Sequence, residues 1–141
     1  MRVMSSAMTI AAAGMQAASA WISSAASNLA NMQTNGPVPA TPPDQPVPQT
    51  PGNVYQATTV EQTAQPDGGV STSLAAALPA YLVAYDPHSP MANSQGLIAQ
   101  PNVDMATQIV SLLQARTAFG ASLAAFKAAE NTTKTLLDLV A

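Results

Sequence analysis

Apolar residues in the first and last parts of this 141-residue chain recur at alternating spacings of four and three residues. This spacing places them on one stripe of an α-helix and is typical of helices that pack against other helices. It therefore predicts one long helix at each end of the chain. The first stripe is Met4, Met8, Ala11, Met15, Ala18, Ile22, Ala25 and Leu29. The second is Met105, Ile109, Leu112, Arg116, Phe119, Leu123, Phe126, Glu130, Thr133, Leu137 and Val140, in which only Arg116, Glu130 and Thr133 interrupt the apolar stripe.

A proline-rich segment follows the first predicted helix, with seven of the twelve prolines between Pro37 and Pro51. Proline has no backbone N–H and a fixed φ, so this segment is incompatible with a helix or a central strand. We expect an extended, polyproline-like linker or loop. The stretches "VYQATTVEQ" (54–62) and "GVSTSLA" (69–75) then show β-branched alternation around the turn signal "QPDGG", which predicts a β-hairpin.

Two further short strands are predicted in "AYLVAY" and at Leu97–Ala99, on either side of a loop around Asp86–Gly96. The expected fold is mainly α with a small β insert, and its two long terminal helices form a coiled-coil-like axial core. The predicted segments are an N-terminal axial helix (1–34), a Pro-rich linker or loop (35–53), a β-rich insert (54–100) and a C-terminal axial helix (101–141).

The surface expected for a monomer of this composition has few charges. Only 8% of the residues are charged, against roughly 25% in an ordinary soluble domain. The insert is also too short to cover helices about 40 and 55 Å long. We therefore expect oligomerisation. The net charge of −3 and four scattered basic residues argue against binding to nucleic acid.

Candidate catalytic residues are sparse. His88 is the only histidine and lies in a Pro-rich loop, so one chain offers neither a histidine metal cluster nor a Ser-His-Asp triad. Asp86 and Asp104 occupy ordinary turn and cap positions. The sequence predicts no enzyme activity, no cofactor and no metal site.

Polar residues mark the inner ends of both helices. In "SNLAN" (27–31), Asn28 and Asn31 lie three residues apart in the last turn, where their amides can bind terminal carbonyls or a neighbouring subunit. In "PNVD", Asn102 or Asp104 can cap the N-terminus of the last helix.

These two motifs carry a family resemblance. "SNLAN" after an N-terminal helix, with "AYDPHSPMANSQGLIAQPNVD" (84–104) before a C-terminal heptad helix, resembles the flagellar basal-body rod proteins, most closely the proximal rod protein C type. The resemblance implies a structural rod subunit that polymerises through its terminal helices and transmits torque. It also implies contacts with itself, other rod proteins and the flagellar export apparatus, and export without a cleaved signal peptide to a periplasm-spanning rod.

The residues expected at the assembly interface combine the helical stripes with the polar residues at the helix ends. They are Met8, Met15, Ile22, Asn28, Leu29, Asn31, Asn102, Asp104, Ile109, Leu112, Arg116, Phe119, Leu123 and Phe126.

A second interpretation stays open for the N-terminus. Arg2, a weakly apolar stretch and "ASA" before Trp21 resemble a secretory signal cleaved after Ala20, which would leave a secreted or periplasmic β-rich binding module. Polar residues in the apolar stretch and the interruption of the heptad stripe argue against it. A transmembrane helix is not expected, because no 18-residue window is free of polar groups. The scarcity of basic residues disfavours a membrane-surface helix.

Overall fold

The structure, a computed structural model, describes the backbone of residues 2–140 and the side chains of residues 6–139. Its elements, in chain order, are α1 (Arg2–Asn31), β1 (Thr58–Ala64), β2 (Val70–Ala76), β3 (Tyr81–Tyr85), β4 (Leu97–Pro101) and α2 (Met105–Val140). The strands form two separate two-stranded sheets, β1–β2 and β3–β4. The predicted pair of long terminal helices with a small β insert is therefore present. The side chains of Met4 and Val140 lie outside the described residues, as do Met1 and Ala141 at the ends of the predicted segments.

The β1–β2 hairpin has the predicted turn, but β1 begins at Thr58 rather than at Val54. The four preceding residues instead enter a core, where Val54 is fully buried. The turn places Gly68 and Gly69 at φ +89° and +86°, a left-handed conformation that residues with a Cβ rarely adopt. The "DGG" sequence therefore sets the turn at this position.

The chain forms two compact units. The first, here called the helical unit, contains the residues up to Ser23, the hairpin residues Val60–Ser73 and the residues from Ser111 onward. Within it, α1 and α2 run antiparallel, since Gly14 faces Ser122 while the earlier residue Met8 lines a groove with α2 residues from Lys127 onward. The hairpin turn also belongs to this unit, and Gly68 lies against the side chain of Ile10.

The second unit, here called the sheet unit, contains Ser24–Thr59 and Leu74–Val110. Strands β3 and β4 pair antiparallel from Tyr81 opposite Pro101 to Tyr85 opposite Leu97. One cluster of buried residues forms the core of this unit; its members are Val47, Val54, Ala80, Tyr81 and Ala99.

The Pro-rich segment is packed into the sheet unit. Gly36 exchanges two backbone hydrogen bonds with Ala99, at 3.0 and 2.9 Å, and so extends the β3–β4 sheet by one bridge. The Val47 N–H donates to Oε1 of the buried Gln56, and the Tyr81 hydroxyl donates to the Thr41 carbonyl, both at 2.9 Å. The segment therefore contributes to the core, with its backbone held by specific polar contacts.

Candidate assembly surfaces

A buried polar cluster in the sheet unit joins the end of α1 to the start of β1 and the first turns of α2. Asn28 lies at its centre and is only 2% exposed. Its Nδ2 donates to the Thr58 carbonyl at 2.9 Å and to Gln108 Oε1 at 3.0 Å. Its Oδ1 accepts from the Thr58 N–H and from the Tyr55 hydroxyl, each at 3.0 Å. Both donors and both acceptor lone pairs of the amide are used.

The backbone of Thr58 fixes which way the Asn28 amide points. The N–H of Thr58 requires an acceptor and its carbonyl requires a donor, so only one orientation of the amide satisfies both. Ser24 adds a second donor to the same carbonyl, at 2.9 Å, and Ser27 lies within 3.1 Å of the Tyr55 hydroxyl. Asn28 therefore has an intramolecular role, in which it holds β1 and α2 against the last turns of α1.

The other polar residues predicted at the helix ends also have partners within the chain. Asn31 Nδ2 donates to the Ser27 carbonyl at 2.9 Å, which is the first of the two roles considered for it, binding to a carbonyl of the last helical turn. Asn102 Nδ2 donates to the Pro79 carbonyl at 2.9 Å and anchors the segment before α2.

Asp104, rather than Asn102, is the N-cap of α2. Its carboxylate accepts the Thr107 N–H at 2.8 Å, and its carbonyl accepts the Gln108 N–H at 3.0 Å. Hydrogen bonds from the Thr107 hydroxyl and then from the Thr107 N–H lower the pKa of the exposed Asp104 carboxyl below 3.8, because they favour its charged form.

Small residues form the closest helix contacts of the helical unit. A Cβ on Gly14 would come within 2.6 Å of Ser122 Oγ, so the Ser122 side chain packs directly against the backbone of α1 at this point. The buried residues of α1 in this unit are Ala11, Ala17 and Ala18, and α2 contributes Ala115. Small side chains permit this close approach of the helix axes.

The large residues of the predicted stripes flank these small ones. Those that the structure leaves half-buried are Met8, Met15, Ile22, Leu29, Leu112, Phe119, Leu123 and Phe126. Ile109 and Arg116 are exposed. Along α2, Ala115 and Ala129 are less exposed than the neighbouring stripe residues Arg116 and Glu130, whereas Ser122 and Leu123 are both half-buried. The side of α2 that is covered within the chain therefore carries more small residues than the predicted stripe. Small side chains allow close helix packing, whereas charged side chains such as Arg116 remain in solvent.

Several exposed apolar residues of α2 were not among the residues predicted for the assembly interface. In the sheet unit the large exposed apolar residues of α2 are Met105, Ile109 and Val110, and of these only Ile109 was predicted. In the helical unit Leu113 is 58% exposed, and near the end of α2 Leu136, Leu137 and Leu139 are exposed as well. The adjacent pairs Ile109–Val110 and Leu112–Leu113 are the sequence signal for this second apolar side, since neighbouring residues lie about 100° apart on a helix.

By length and composition alone, α2 is apolar enough over Met105–Leu139 to cross a membrane. Core helices of soluble proteins also satisfy this criterion, so the absence of a membrane span stays a prediction.

The two candidate catalytic residues of the β3–β4 loop are not part of a group of metal-binding side chains among the described residues. His88 and Asp86 are exposed in the loop after β3, where Asp86 Oδ1 accepts the His88 N–H at 3.3 Å. Among the described residues, no group of three His, Cys, Asp or Glu side chains is placed to hold a metal ion. Asp86 therefore has the local turn role that its sequence context predicted.

The part of the chain that contains the Asp104 cap and α2 matches a known family. Residues 94–139, about a third of the chain, match the family model described as "Flagellar basal body rod FlgEFG protein C-terminal". A comparison with curated proteins found no match. The C-terminal third is therefore similar to the C-terminal region of flagellar basal-body rod proteins.

Proposed function

We propose that the chain is a structural, non-enzymatic subunit of the flagellar basal-body rod, and specifically of the proximal rod. The observation that carries this proposal is the family match over residues 94–139. The family is structural in general, and the match includes the end of the β3–β4 loop, β4 and nearly all of α2.

The exposed apolar surface of α2 supports a role in assembly. In the helical unit, Leu113 is 58% exposed and Leu137 is 51% exposed. Burying a leucine or isoleucine side chain contributes about 1.5–3 kcal/mol, so a row of them on many subunits supplies a substantial driving force for association. With few charges on the chain, little opposes this association.

In the proposed assembly, α1 and α2 lie in the axial layer of the rod and contact other copies and other rod proteins. The predicted interface residues contribute in two ways. Exposed and half-buried residues such as Ile109, Leu112 and Phe119 contact neighbours, whereas Asn28 and Asn102 hold the shape of the subunit. Interdigitated side chains resist sliding between subunits, and this resistance transmits torque along the rod.

We further propose that the chain is exported by the flagellar export apparatus with its first helix retained. Removal of the residues before Trp21 would take away Ala11, Gly14 and Ala18, and with them the close contact with Ser122. The first helix therefore has a packing role that a signal peptide does not have.

The decisive experiment places a charge on the exposed apolar surface of α2 without disturbing the chain's own packing. Leu113→Asp should abolish motility in a strain that depends on this protein, while the variant is still exported. Thr117→Asp, one turn further along the same exposed side, is the matched control and should reduce motility much less. Full motility with Leu113→Asp would contradict a role for this surface in the rod.

Intact-mass measurement on purified basal bodies tests whether the chain is part of the basal body and whether it keeps its first helix. Co-purification of a chain that retains the first helix supports the rod assignment. A chain that begins at Trp21 in the soluble periplasmic fraction would instead indicate the secreted binding module. A chain extracted only with the lipid bilayer would indicate that α2 spans a membrane.

A further inference from the structure

Strand β3 has one open edge, whereas both edges of its partner β4 are occupied. On the outer edge of β4, Ala99 exchanges two backbone hydrogen bonds with Gly36. The Leu97 N–H donates to Asn93 Oδ1, and the Leu97 carbonyl accepts from the Asn93 N–H, each at 3.0 Å. The other edge of β4 pairs with β3.

The register shows which backbone groups of β3 point away from β4. In an antiparallel pair, directly opposite residues alternate between those that exchange hydrogen bonds and those that do not. Ala99 and Leu97 direct their backbone groups outward, so their partners Val83 and Tyr85 do the same on the opposite edge. Within the part of the chain that the structure describes, no hydrogen bond reaches the backbone N–H or carbonyl of Val83 or Tyr85.

This open edge lacks three of the features that keep sheet edges from pairing. No charged residue and no proline lies within β3, and no bulge interrupts its pairing with β4. The side chains beside the edge are apolar and accessible, since Val83 is 53% and Tyr85 73% exposed. An edge with these properties is a template for an additional strand.

We propose that β3 pairs antiparallel with β3 of a second copy of this chain, with Val83 of each copy opposite Tyr85 of the other. In this register, Val83 of each copy exchanges two backbone hydrogen bonds with Tyr85 of the other. The two Val83–Tyr85 pairs together form four hydrogen bonds. Each Val83 side chain then lies beside a Tyr85 ring, and β-branched–aromatic pairs are favourable across strands. Ala84 lies opposite its own counterpart on the two-fold axis.

The sequence of β3 argues for a second copy as its partner. The strand is uncharged and complementary to itself in a register that uses the available backbone groups of Val83 and Tyr85 on both copies. Tyr81, which is 4% exposed, takes no part in this register, so its covered position is no obstacle. An unrelated strand would need the same neutrality and the same spacing of side chains.

The contact is small and two-fold, and both properties have consequences. A few residues per chain fall well below the roughly 1,200 Å² of buried surface that stable complexes need, so β3 alone gives a weak dimer. A two-fold contact also closes on itself and does not extend a polymer. The pairing therefore joins chains in twos independently of the helical surfaces, and it does not depend on the rod assignment.

Disulfide trapping detects such a weak contact, because the chain has no cysteine of its own. In the proposed register the two copies of Ala84 form a non-hydrogen-bonded pair with Cα atoms about 4.5 Å apart, within the range for a disulfide. Ala84→Cys should form a disulfide-linked dimer under mild oxidation. Leu82→Cys, on the same face of β3 and exposed, is the matched control, because its two copies would be four residues out of register, about 13 Å apart.

A second variant separates strand pairing from chance encounter. Val83→Lys, at an exposed position, should suppress cross-linking of Ala84→Cys at least several-fold at low salt, with an unchanged circular dichroism spectrum. Equal cross-linking of the Ala84→Cys and Leu82→Cys chains, or cross-linking that Val83→Lys leaves unchanged, would overturn the proposal. So would an Ala84→Cys chain that is monomeric alone and is trapped only by another basal-body protein.

Discussion

Asn28 gives the sharpest test of how this chain holds its shape. Replacing it with alanine removes four hydrogen bonds at once from a side chain that is 2% exposed. The cost depends on which of the four partners finds another bond.

Three of the four partners keep a bond or can form another. Tyr55 can turn its hydroxyl to Ser27, 3.1 Å away, and the half-buried Gln108 is accessible to water. The Thr58 carbonyl keeps its bond from Ser24, at 2.9 Å. The N–H of the half-buried Thr58 loses its partner, and a donor left unsatisfied away from water costs about 1–3 kcal/mol. With about 0.5–1.5 kcal/mol for the other net losses, Asn28→Ala should reduce the free energy of unfolding by about 3 kcal/mol.

Urea unfolding of the monomer, followed by circular dichroism, measures this loss. With a slope of about 1–3 kcal/mol per molar urea, the midpoint should fall by about 1–3 M. Asn31→Ala is the matched control, because it removes one hydrogen bond to a carbonyl in the same helix turn and should cost about 1 kcal/mol or less. If the two variants were equally stable, Asn28 would not be the centre of the cluster.

Two further predictions concern the helices. Gly14→Ala should destabilise the chain although alanine favours helix, because its Cβ would overlap Ser122. Gly120→Ala, with open space around it, should stabilise the chain by up to about 1 kcal/mol. Thermal melts compare the two variants, and a stabilising Gly14→Ala would refute the close contact. For Asp104, the folded-state pKa lies below the unfolded value of 3.8, so its contribution to stability is present above pH 3.8 and is lost as the pH falls through the folded pKa. The melting temperature of the wild type should therefore fall relative to that of Asp104→Asn in acid, and parallel pH profiles would contradict the role of the Thr107 bonds.

Periodicity and turn chemistry predicted the elements of this fold because both are local properties. Spacings of four and three residues predicted α1 and α2, and "QPDGG" predicted the hairpin turn, since glycine accepts a left-handed φ. Polar residues before an apolar-periodic run predicted a cap at Asn102 or Asp104, and the structure places it at Asp104. None of these inferences needed a contact between distant parts of the chain.

The side of each helix that is covered was harder to predict. The sequence pattern weighted large apolar residues and placed Arg116 on the stripe, whereas the structure covers Ala115 and Ser122 more than Arg116. Size complementarity with a partner helix decides this choice, and a single helix contains no information on the partner's shape. For the same reason the apolar surface around Leu113 was missed.

The sequence by itself determined the two terminal helices, the β insert between them, the absence of cysteine and the scarcity of charge. The tertiary structure alone decided that Asn28 is buried and fully hydrogen-bonded, and that the Pro-rich segment packs through Val47 and Gly36. It also decided that the outer edge of β3 is open. These three features depend on groups that lie far apart in the chain. Only folding brings these donors, acceptors and apolar surfaces together, and their arrangement determines which groups are satisfied and which remain available.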